Sequence, residues 1–484
     1  MLPSTGLRAA RCVTRTMSTL IERARPRRTP PLDEGFRPAV LANQSFQRAV
    51  ADSGAGVPLV LGLERSDQSI SRFETAVFPE GHPLARENLW YAERLLKFLL
   101  WQRGAWRVYV GGPGSVGRHL QQCYSPNGPR SFDQHFMGEE VYQKPFTVVT
   151  CGVDEVPEER EGEQSLGRHL DGCRIGFDLG ASDLKVSAVV DGKPVFSEEI
   201  EWDPQGHDDP RYHLDMILFA IRRAASKLPR VDAIGGSSAG VIVQNRPMIA
   251  SLFRGVPKER FEEVRSMFAR IRSEFGVPLE VVNDGEVTAL AGSMSLEDNS
   301  ILGVALGSSQ AAGYITPKGN ITDWLNELAF APIDLSPTAP VDEWSGDRGC
   351  GALYFSQQCV FRLAPAVGID LPADLTKARR LERVQEQLDS GHAGARRIWE
   401  TIGVYMGYGI AHYADFYRLK HVLVLGRCTS GAGGKLIVDG ARQVLEEEFP
   451  ERAGRINIQL PDEKSRRVGQ SIAAASLPVV QKRE

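Results

Sequence analysis

The stretch Asp178-Leu179-Gly180-Ala181-Ser182-Asp183-Leu184-Lys185, between two predicted strands, decides the fold of this protein. A tight turn of glycine and small residues lets backbone N–H groups approach phosphate oxygens. An aspartate at the end of a strand, here Asp178, can hold a Mg²⁺ ion, usually through water. The pattern alone is a weak signal, because an aspartate followed by glycine before a turn is also ordinary hairpin chemistry. Whether it marks a phosphate-binding turn depends on the stretches that follow it along the chain.

A second stretch, Val281-Val282-Asn283-Asp284-Gly285-Glu286, ends a predicted buried strand and precedes a helix of small residues, Val287–Ser293. A carboxylate at this place, Asp284, can accept a proton from a bound hydroxyl group, and the neighbouring amide of Asn283 can orient that hydroxyl. The structural alternative is that Asp284 only caps the helix.

Two more glycine-rich stretches follow predicted strands. Ile301–Leu306 is predicted to be a strand that enters Gly307-Ser308-Ser309-Gln310-Ala311-Ala312-Gly313, again a small-residue turn suited to phosphate. Val422–Gly426 leads to Thr429-Ser430-Gly431-Ala432-Gly433-Gly434 at a predicted helix start, where an adenosine could lie against the backbone. The order of the four stretches carries more information than any one of them.

The composition excludes several classes of protein. The chain has 484 residues, 42% hydrophobic and 24% charged, which fits neither wholesale disorder nor a fibrous repeat. Its net charge of −4 does not suit a general nucleic-acid binder, which needs a surplus of positive charge. No apolar run approaches the ~18 residues that would span a bilayer, so we expect no membrane insertion. The 7 cysteines are far apart and odd in number, which indicates reduced thiols and a cytoplasmic location.

The first part of the chain gives less information. Residues 1–28 contain seven arginines and one acid, Glu22, which resembles an organelle transit peptide. The alternatives are a disordered tail or a true start at Met17, and we favour these. Residues 1–55 show little periodicity, so we predict a flexible tail.

Residues 56–153 are predicted to form an N-terminal α/β domain. The predicted series is a hairpin, a helix, and a strand that ends in a glycine-rich loop. The same series recurs after the polar linker 154–172, so the N-terminal domain is a possible degenerate repeat of the segment that follows. The alternative is that two unrelated α/β segments share a common order of elements.

Taken together, the glycine-rich and acidic stretches resemble the sugar-kinase branch of the actin/Hsp70/hexokinase superfamily, and in particular the ROK family. Asp178–Ser182 lies where that family has D-x-G-G-T, and Asn283-Asp284 matches its E-N-D stretch. Leu306–Ser309 lies at the L-G-T-G phosphate loop. Asn326–Phe330 falls at G-E-x-G-H, whose glutamate touches the sugar, and Gly235–Gly240 falls at a G-x-x-x-P-G loop.

The resemblance covers the chain from about Cys173 to the C-terminus. It implies an α/β protein with the two-lobed actin-like ATPase (ribonuclease H-like) fold and an additional N-terminal α/β domain. The first lobe would comprise residues 173–285, completed by residues 466–484, and the second lobe residues 286–465.

The same resemblance implies ATP-dependent phosphorylation of a hydroxyl on a sugar or sugar derivative, with Asp284 as the general base. The implied substrate-binding residues are Asn283, Glu327, Ser238 and Gly240. The residues implied to bind nucleotide or phosphate are Asp178, Gly180, Ala181, Ser182, Lys185, Gly307, Ser308, Ser309, Gly426 and Gly433. The implied cofactors are ATP and Mg²⁺, with Asp178 holding the metal through water.

The sequence also departs from the family pattern. Phe330 replaces a histidine that ligates zinc and touches the sugar, and Ser345 and Glu343 occupy the places of two zinc cysteines. Because the remaining Cys350 cannot close a four-ligand site by itself, we predict no structural zinc. Three further departures concern the sugar and phosphate sites: Ala352 replaces a second sugar-binding glutamate, Ser309 replaces a phosphate-loop glycine, and Asp183 adds a negative charge near the expected phosphates.

These departures leave two functions open. The first is a sugar kinase with a small-molecule sugar as its partner, possible homodimer formation, and no nucleic-acid or membrane partner. The alternative is a catalytically degenerate sensor of sugar or nucleotide on the same scaffold, favoured by the altered phosphate loop and Asp183. A transcription repressor of the same family ranks last, because residues 57–150 contain no basic recognition helix.

Overall fold

The computed structural model of the chain describes residues 18–66, 69–164, 166–461 and 463–480. Within these ranges the helices are α1 (Thr19–Glu22), α2 (Ala39–Ser53), α3 (Glu87–Arg103), α4 (Gly114–Cys123), α5 (Ser131–His135), α6 (Pro210–Ala225), α7 (Phe261–Arg265), α8 (Met267–Phe275), α9 (Asp284–Leu296), α10 (Gln357–Leu363), α11 (Lys377–Asp389), α12 (Ala393–Tyr413), α13 (Ala432–Glu448), α14 (Pro450–Ala453) and α15 (Glu463–Ala475). The strands are β1 (Val57–Glu64), β2 (Ile70–Val77), β3 (Arg107–Gly111), β4 (Thr147–Cys151), β5 (Glu163–Gln164), β6 (Cys173–Leu179), β7 (Asp183–Val190), β8 (Lys193–Glu201), β9 (Ala233–Ser238), β10 (Val241–Val243), β11 (Arg246–Ile249), β12 (Leu279–Asn283), β13 (Ile301–Leu306), β14 (Gln310–Ile315), β15 (Ile321–Thr322), β16 (His421–Leu425) and β17 (Asn457–Gln459).

Two of the sheets share a layout of three parallel strands followed by antiparallel strands. Each of these sheets forms one lobe. In the first lobe the order is β12-β9-β6-β7-β8, with β6, β9 and β12 parallel and β7 and β8 added as antiparallel neighbours. In the second lobe the order is β17-β16-β13-β14-β15-β5, with β13, β16 and β17 parallel and β14 antiparallel to β13. The repeated layout is the two-lobed α/β arrangement that the sequence predicts.

The last helix closes the first lobe. α15 packs on β6 and β9, although it lies far from both in sequence. A Cβ atom on Gly176 would stand 2.0 Å from the carbonyl oxygen of Ser471, and one on Gly235 would stand 1.7 Å from that of Ala474. Glycine is therefore required at both strand positions, because the helix backbone lies directly against them.

The N-terminal unit (residues 57–151) has a sheet of different topology, in the order β2-β1-β3-β4. β1 and β3 are antiparallel, whereas β6 and β9, the corresponding strands of the first lobe, are parallel. The interpretation of this unit as a degenerate repeat of the first lobe is therefore wrong. The order of elements is the same in the two segments. This order does not determine the direction of the strand after the helix, because that direction depends on long-range packing.

The prediction of a flexible tail is also wrong for residues 18–55, which pack on the second lobe and on the N-terminal unit. Phe36, Val40 and Phe46 are fully buried at 0% exposure. The backbone N–H of Ala39 donates to the carbonyl oxygen of Ile333 at 2.9 Å, which joins this segment to the second lobe. The prediction missed helix α2 because the buried face of this helix has only a few large side chains. Residues 1–17, and the choice between a leader and a later start, lie outside the described residues.

The segment predicted to be a linker joins two sheets rather than lying apart from them. Arg160 forms a β-bridge with Ile70, and β5 pairs with β15 at the edge of the second-lobe sheet. Among the described residues, no helix has both the length and the apolar character needed to cross a bilayer. The domain boundaries drawn from the sequence stay a prediction.

Candidate functional site

The site begins with a row of polar residues at the carboxyl ends of β6, β9 and β12. The strand register pairs Asp178 with Ser237, and it pairs both Leu179 and Asn283 with Ser238. The Ser237 hydroxyl forms a hydrogen bond with the Asp178 carboxylate. Small ligands of open α/β sheets bind at the carboxyl ends of the strands, where such residues meet.

Asn283, rather than Asp284, caps helix α9. Its side-chain Oδ1 accepts a hydrogen bond from the backbone N–H of Gly285 at 2.7 Å, and its Nδ2 donates to the carbonyl oxygen of Gly240 at 2.7 Å. Asp284 Oδ1 accepts from the same Gly285 N–H at 3.0 Å. Because the capping position belongs to Asn283, the structural alternative for Asp284 loses its main support.

Three carboxyl groups, Asp178, Asp284 and Glu327, form a carboxylate cluster at this place. Burial and the charge of Asp178 raise the pKa of Asp284 to about 6. Burial and the charge of Asp284 raise the pKa of Glu327 to about 7. The pKa of Asp178 is also raised, chiefly by burial. Such mutual shifts among carboxyl groups are typical of functional sites.

Glu286 is a fourth acidic residue here, and the sequence reasoning did not select it. Its Oε1 accepts from the Asn326 amide at 2.5 Å and its Oε2 from the Tyr314 backbone N–H at 3.2 Å. Burial raises the pKa of Glu286 to about 8. Its position two residues after Asp284, within the first turn of the same helix, was the signal that could have pointed to it.

The N-terminal unit reaches the segment that carries Glu327. The backbone N–H of Asn326 donates to the carbonyl oxygen of Gln102 in α3 at 2.8 Å. The ring of Phe330 lies 4.3 Å from that of Trp101 and 5.6 Å from that of Phe132, measured between centroids. Phe330 thus fills an aromatic contact between the N-terminal unit and the second lobe, which accounts for a large apolar side chain at this position.

The first predicted phosphate turn is the tight connection between β6 and β7. Gly180 donates its N–H to the carbonyl oxygen of Asp183 at 2.9 Å, and the two residues between them, Ala181 and Ser182, are exposed. The ammonium of Lys185 lies 3.0 Å from the Asp183 carboxylate. The negative charge of Asp183 is therefore paired within the turn, and so is the positive charge of Lys185.

The other predicted nucleotide residues lie in the second lobe. Ser308 and Ser309 are exposed at the turn between β13 and β14, with Gly307 beside them. A Cβ atom on Gly426 would stand 2.6 Å from the backbone nitrogen of Leu306, so the loop after β16 lies against the end of β13. Gly433 lies apart from this turn, in the first turn of α13, buried against the indole of Trp399.

The donor set fits a magnesium ion held with phosphate groups. Asp178 and Asp284 bring two carboxylates together, and Lys185, the cation that acts on Asp178, is paired with Asp183. Mg²⁺ is commonly bound by one or two carboxylates together with water and substrate phosphates, and such a pair leaves negative charge to attract it. Among the described residues, no group of three or more His, Cys, Asp or Glu side chains is arranged to hold a metal ion.

Cys350, the one remaining cysteine of the family zinc motif, faces a set of buried ions. Burial raises the pKa of its thiol to about 12, although the nearby Lys97 ammonium acts in the opposite direction. Lys97, in α3, is fully buried and lies 2.9 Å from Asp133 and 3.3 Å from Asp347. A buried ammonium from the N-terminal unit thus lies close enough to the Cys350 thiol to act on it. The zinc-free site stays a prediction.

The geometry can be compared with solved structures. The chain matches the crystal structure of a ROK family transcriptional regulator, described as a homologue of the E. coli MLC protein, with a TM-score of 0.52 and 18% sequence identity. The match covers 64% of this chain and 78% of the regulator. The chain has a ROK-like fold. This conclusion agrees with the repeated layout of the two lobes and concerns the fold alone.

Other ROK proteins also match. A ROK hexokinase from Thermus thermophilus is 16% identical, with a TM-score of 0.49, over 62% of this chain and 97% of the hexokinase. A ROK family glucokinase from Streptomyces griseus, solved with glucose and AMPPNP, is 18% identical, with a TM-score of 0.47, over 63% of this chain and 99% of the glucokinase. No protein-family model matches the sequence, and no curated protein matches it.

Proposed function

We propose that the protein transfers a phosphoryl group from ATP to a hydroxyl of a sugar or sugar derivative, with Asp284 as the general base. The observation that carries the proposal is the position of the Asp284 carboxylate together with its raised pKa. Its carboxylate lies at the carboxyl end of β12, helix capping falls to Asn283, and its pKa is raised to about 6. A general base works best when its pKa lies near the operating pH, and this value meets that condition.

The neighbours of Asp284 suit the handling of a sugar. Asn283 is fixed by its bond to Gly240, so this pair presents a rigid edge to a bound hydroxyl group. Glu327, with a pKa of about 7, is divided between its two protonation states near neutrality. It can therefore donate to one sugar hydroxyl or accept from it. Holding the substrate in this way lowers the activation barrier, because the entropy cost of orienting the reacting groups is met on binding rather than in the reaction step.

The nucleotide would lie between the exposed turns of the two lobes. The backbone N–H groups of Ala181 and Ser182 and of Ser308 and Ser309 can donate to phosphate oxygens, and Asp178 can hold Mg²⁺ through water. When bound, Mg²⁺ neutralises charge on the transferred phosphate. Asp284 would take the proton of the attacking hydroxyl while Asn283 and Glu327 keep that hydroxyl in line.

A second candidate function is a sugar or nucleotide sensor without turnover. The ion pair between Lys185 and Asp183 favours it, because this lysine is not free to neutralise phosphate charge. The two candidate functions differ in whether ATP is consumed. A sensor binds ATP and leaves it intact in the presence of sugar.

The test is a phosphotransfer assay over a panel of sugars with Mg·ATP, run on the wild type and on Asp284→Asn. The proposal expects phosphorylated sugar from the wild type and almost none from the variant. If the wild type binds sugar and ATP but phosphorylates nothing in the panel, the sensor function replaces the kinase. If Asp284→Asn keeps most of the wild-type rate, Asp284 is not the base.

A further inference from the structure

Glu327 is the member of the carboxylate cluster whose side chain is held least directly. Its carboxylate has no hydrogen-bond partner among the described residues, and its pKa responds to burial and to the charge of Asp284. In contrast, the Asp178 carboxylate is bonded to the Ser237 hydroxyl. The Asp284 carboxylate is bonded to the backbone N–H of Gly285. The place of the Glu327 carboxylate therefore depends on how the backbone around it is fixed.

Asn326, the residue before Glu327, is bonded to three different parts of the molecule. Its backbone N–H donates to the carbonyl oxygen of Gln102, in α3, at 2.8 Å. Its side-chain Nδ2 donates to Oε1 of Glu286, in α9, at 2.5 Å. Its Oδ1 accepts from the hydroxyl of Tyr417, which follows α12, at 2.7 Å. Because Asn326 is only 1% exposed, water does not compete for these bonds.

The backbone of Asn326 lies in the left-handed region, with a φ of 51°. Asparagine is one of the few side chains that adopt this conformation at low cost, and glycine adopts it freely. The substitution Asn326→Gly therefore removes both side-chain bonds without straining the backbone at this position.

The end of α3 makes a second contact with the same segment. The guanidinium carbon of Arg103, the last residue of α3, lies 4.9 Å from the centroid of the Trp324 ring. A cation over the face of an indole is attracted to it, and Trp324 lies two residues before Asn326. Two successive residues of the N-terminal unit, Gln102 and Arg103, thus hold the chain just before Glu327 at two points.

We propose that Asn326 is a positioning residue, which sets the Glu327 carboxylate against α9 and through which the N-terminal unit acts on the substrate site. The bond from Asn326 to Glu286 joins the segment of Glu327 to the first turn of the helix that begins at Asp284. The inference deepens the proposed function and rests on it for one point, that Glu327 contacts a sugar.

The experiment is steady-state kinetics of the full chain and of Asn326→Gly, with glucose, mannose, fructose and N-acetylglucosamine as acceptors. The KM for sugar and the KM for ATP are measured separately. A displaced Glu327 carboxylate loses its bond to the sugar, so the sugar KM should rise by about 10- to 100-fold while the KM for ATP stays unchanged. A merely structural role would lower the folded fraction, which reduces the apparent kcat and leaves both KM values as they are.

Asn88→Ala is the matched control for Asn326→Gly. Asn88 is also 1% exposed, and its side chain also makes two hydrogen bonds, to the backbone N–H and carbonyl oxygen of Phe78. These bonds lie within the N-terminal unit and do not involve the carboxylate cluster. Asn88→Ala should therefore reduce stability and leave the sugar KM at its wild-type value.

A milder variant, Tyr417→Phe, removes only the hydroxyl that donates to Asn326. It should raise the sugar KM in the same direction, by about 2- to 10-fold. Tyr91→Phe is its matched control, because Tyr91 and Tyr417 are both 4% exposed and the Tyr91 hydroxyl is bonded to the Thr75 side chain at 3.1 Å. Tyr91→Phe should leave the sugar KM unchanged.

A double variant shows whether Asn326 acts through Glu327. Glu327→Ala removes the side chain that Asn326 is proposed to position. Adding Asn326→Gly to Glu327→Ala should then change the sugar KM by less than about 2-fold, because residues that act as a unit are not additive. If the two fold-changes multiply, Asn326 acts on another group and the inference is overturned.

The inference is also overturned if Asn326→Gly leaves the sugar KM at its wild-type value, or if Asn88→Ala raises this KM as much. Phosphotransfer that is insensitive to Asn326→Gly leaves the kinase standing without this role of Asn326. If the wild type binds sugar without phosphotransfer, dissociation constants from calorimetry replace the KM values, and loss of sugar affinity in Asn326→Gly leaves the positioning role standing without the kinase. If none of the four sugars binds, Glu327 has no sugar to hold and the inference fails.

Discussion

The ring of Trp101, in α3 of the N-terminal unit, lies 4.3 Å from the ring of Phe330 in the second lobe, centroid to centroid. Trp101 is fully buried, and Phe330 lies three residues after Glu327 of the carboxylate cluster. The N-terminal unit therefore supports the segment that carries Glu327. Its side chains also share one hydrophobic core with those of the second lobe.

A version of the chain that starts at Cys173 should be poorly soluble. It would expose the surfaces of Phe330, Tyr413 and Phe416 that now pack on α3, an apolar patch of the kind that drives aggregation. Size-exclusion chromatography and thermal unfolding give the measurement, with a version that starts at Ser18 as the control. A monodisperse, stable fragment from Cys173 would contradict the prediction.

Asp284→Asn should lower the rate of phosphotransfer by about 10²- to 10⁴-fold while sugar and nucleotide binding stay close to wild type. The amide keeps the shape of the side chain but cannot accept the proton, and that proton moves only in the transition state. Steady-state kinetics and calorimetry separate the two effects. Asp215→Asn, on the exposed face of α6, is the matched control and should change neither.

Asp178→Asn should act in two ways. Loss of the carboxylate should raise the Mg²⁺ concentration needed for half-maximal nucleotide use. Because the charge of Asp178 raises the pKa of Asp284, its removal should also move the acid limb of the pH profile of kcat/KM below the wild-type position near pH 6. Activity falls below this limb because the base becomes protonated. An acid limb that stays in place would mean that the two carboxyl groups do not interact.

Lys97→Met should destabilise the whole protein. The ammonium is fully buried between Asp133 and Asp347, and its removal leaves Asp133 as a buried carboxylate without a cation. Breaking such a pair costs about 3–5 kcal/mol. Thermal unfolding measures the loss. Lys435→Met, which breaks an exposed helical pair with Asp439, should change stability by less than about 1 kcal/mol.

His412→Leu should make the protein more stable in acid. Both ring nitrogens of His412 are buried without a described partner, and burial together with the charge of Arg452 lowers its pKa to about 3. Because the unfolded state binds a proton at His412 below pH ~6.5 and the folded state does not, the contribution of His412 to the free energy of unfolding falls by about 1.4 kcal/mol per pH unit as the pH drops from 6.5 towards 3.

The variant lacks this dependence, so its advantage should grow as the pH is lowered. Urea unfolding at pH 7, 6 and 5 measures the difference. His207→Leu, at an exposed position, is the control and should follow the wild type at each pH. Equal pH dependence of His412→Leu and the wild type would show that the folded protein does protonate His412.

The sequence by itself determined the two lobes and the place of the polar residues within them. Strands of apolar residues that end in glycine-rich turns are local patterns, and they put Asp178 and Asn283 at strand ends before any tertiary contact is considered. The cap of α9 follows from the same local chemistry, since an asparagine before a helix accepts from its first N–H groups. Three parallel strands with such ends then bring these residues to one edge of a sheet.

Only the tertiary structure decided how the N-terminal part takes part in the site. The antiparallel pairing of β1 with β3, the packing of Phe36 on the second lobe and the burial of Lys97 beside Cys350 all join residues far apart in sequence. Local propensity carries no information about such pairs. Their stability comes from shared burial and from charges that are tolerated only because a distant partner compensates them.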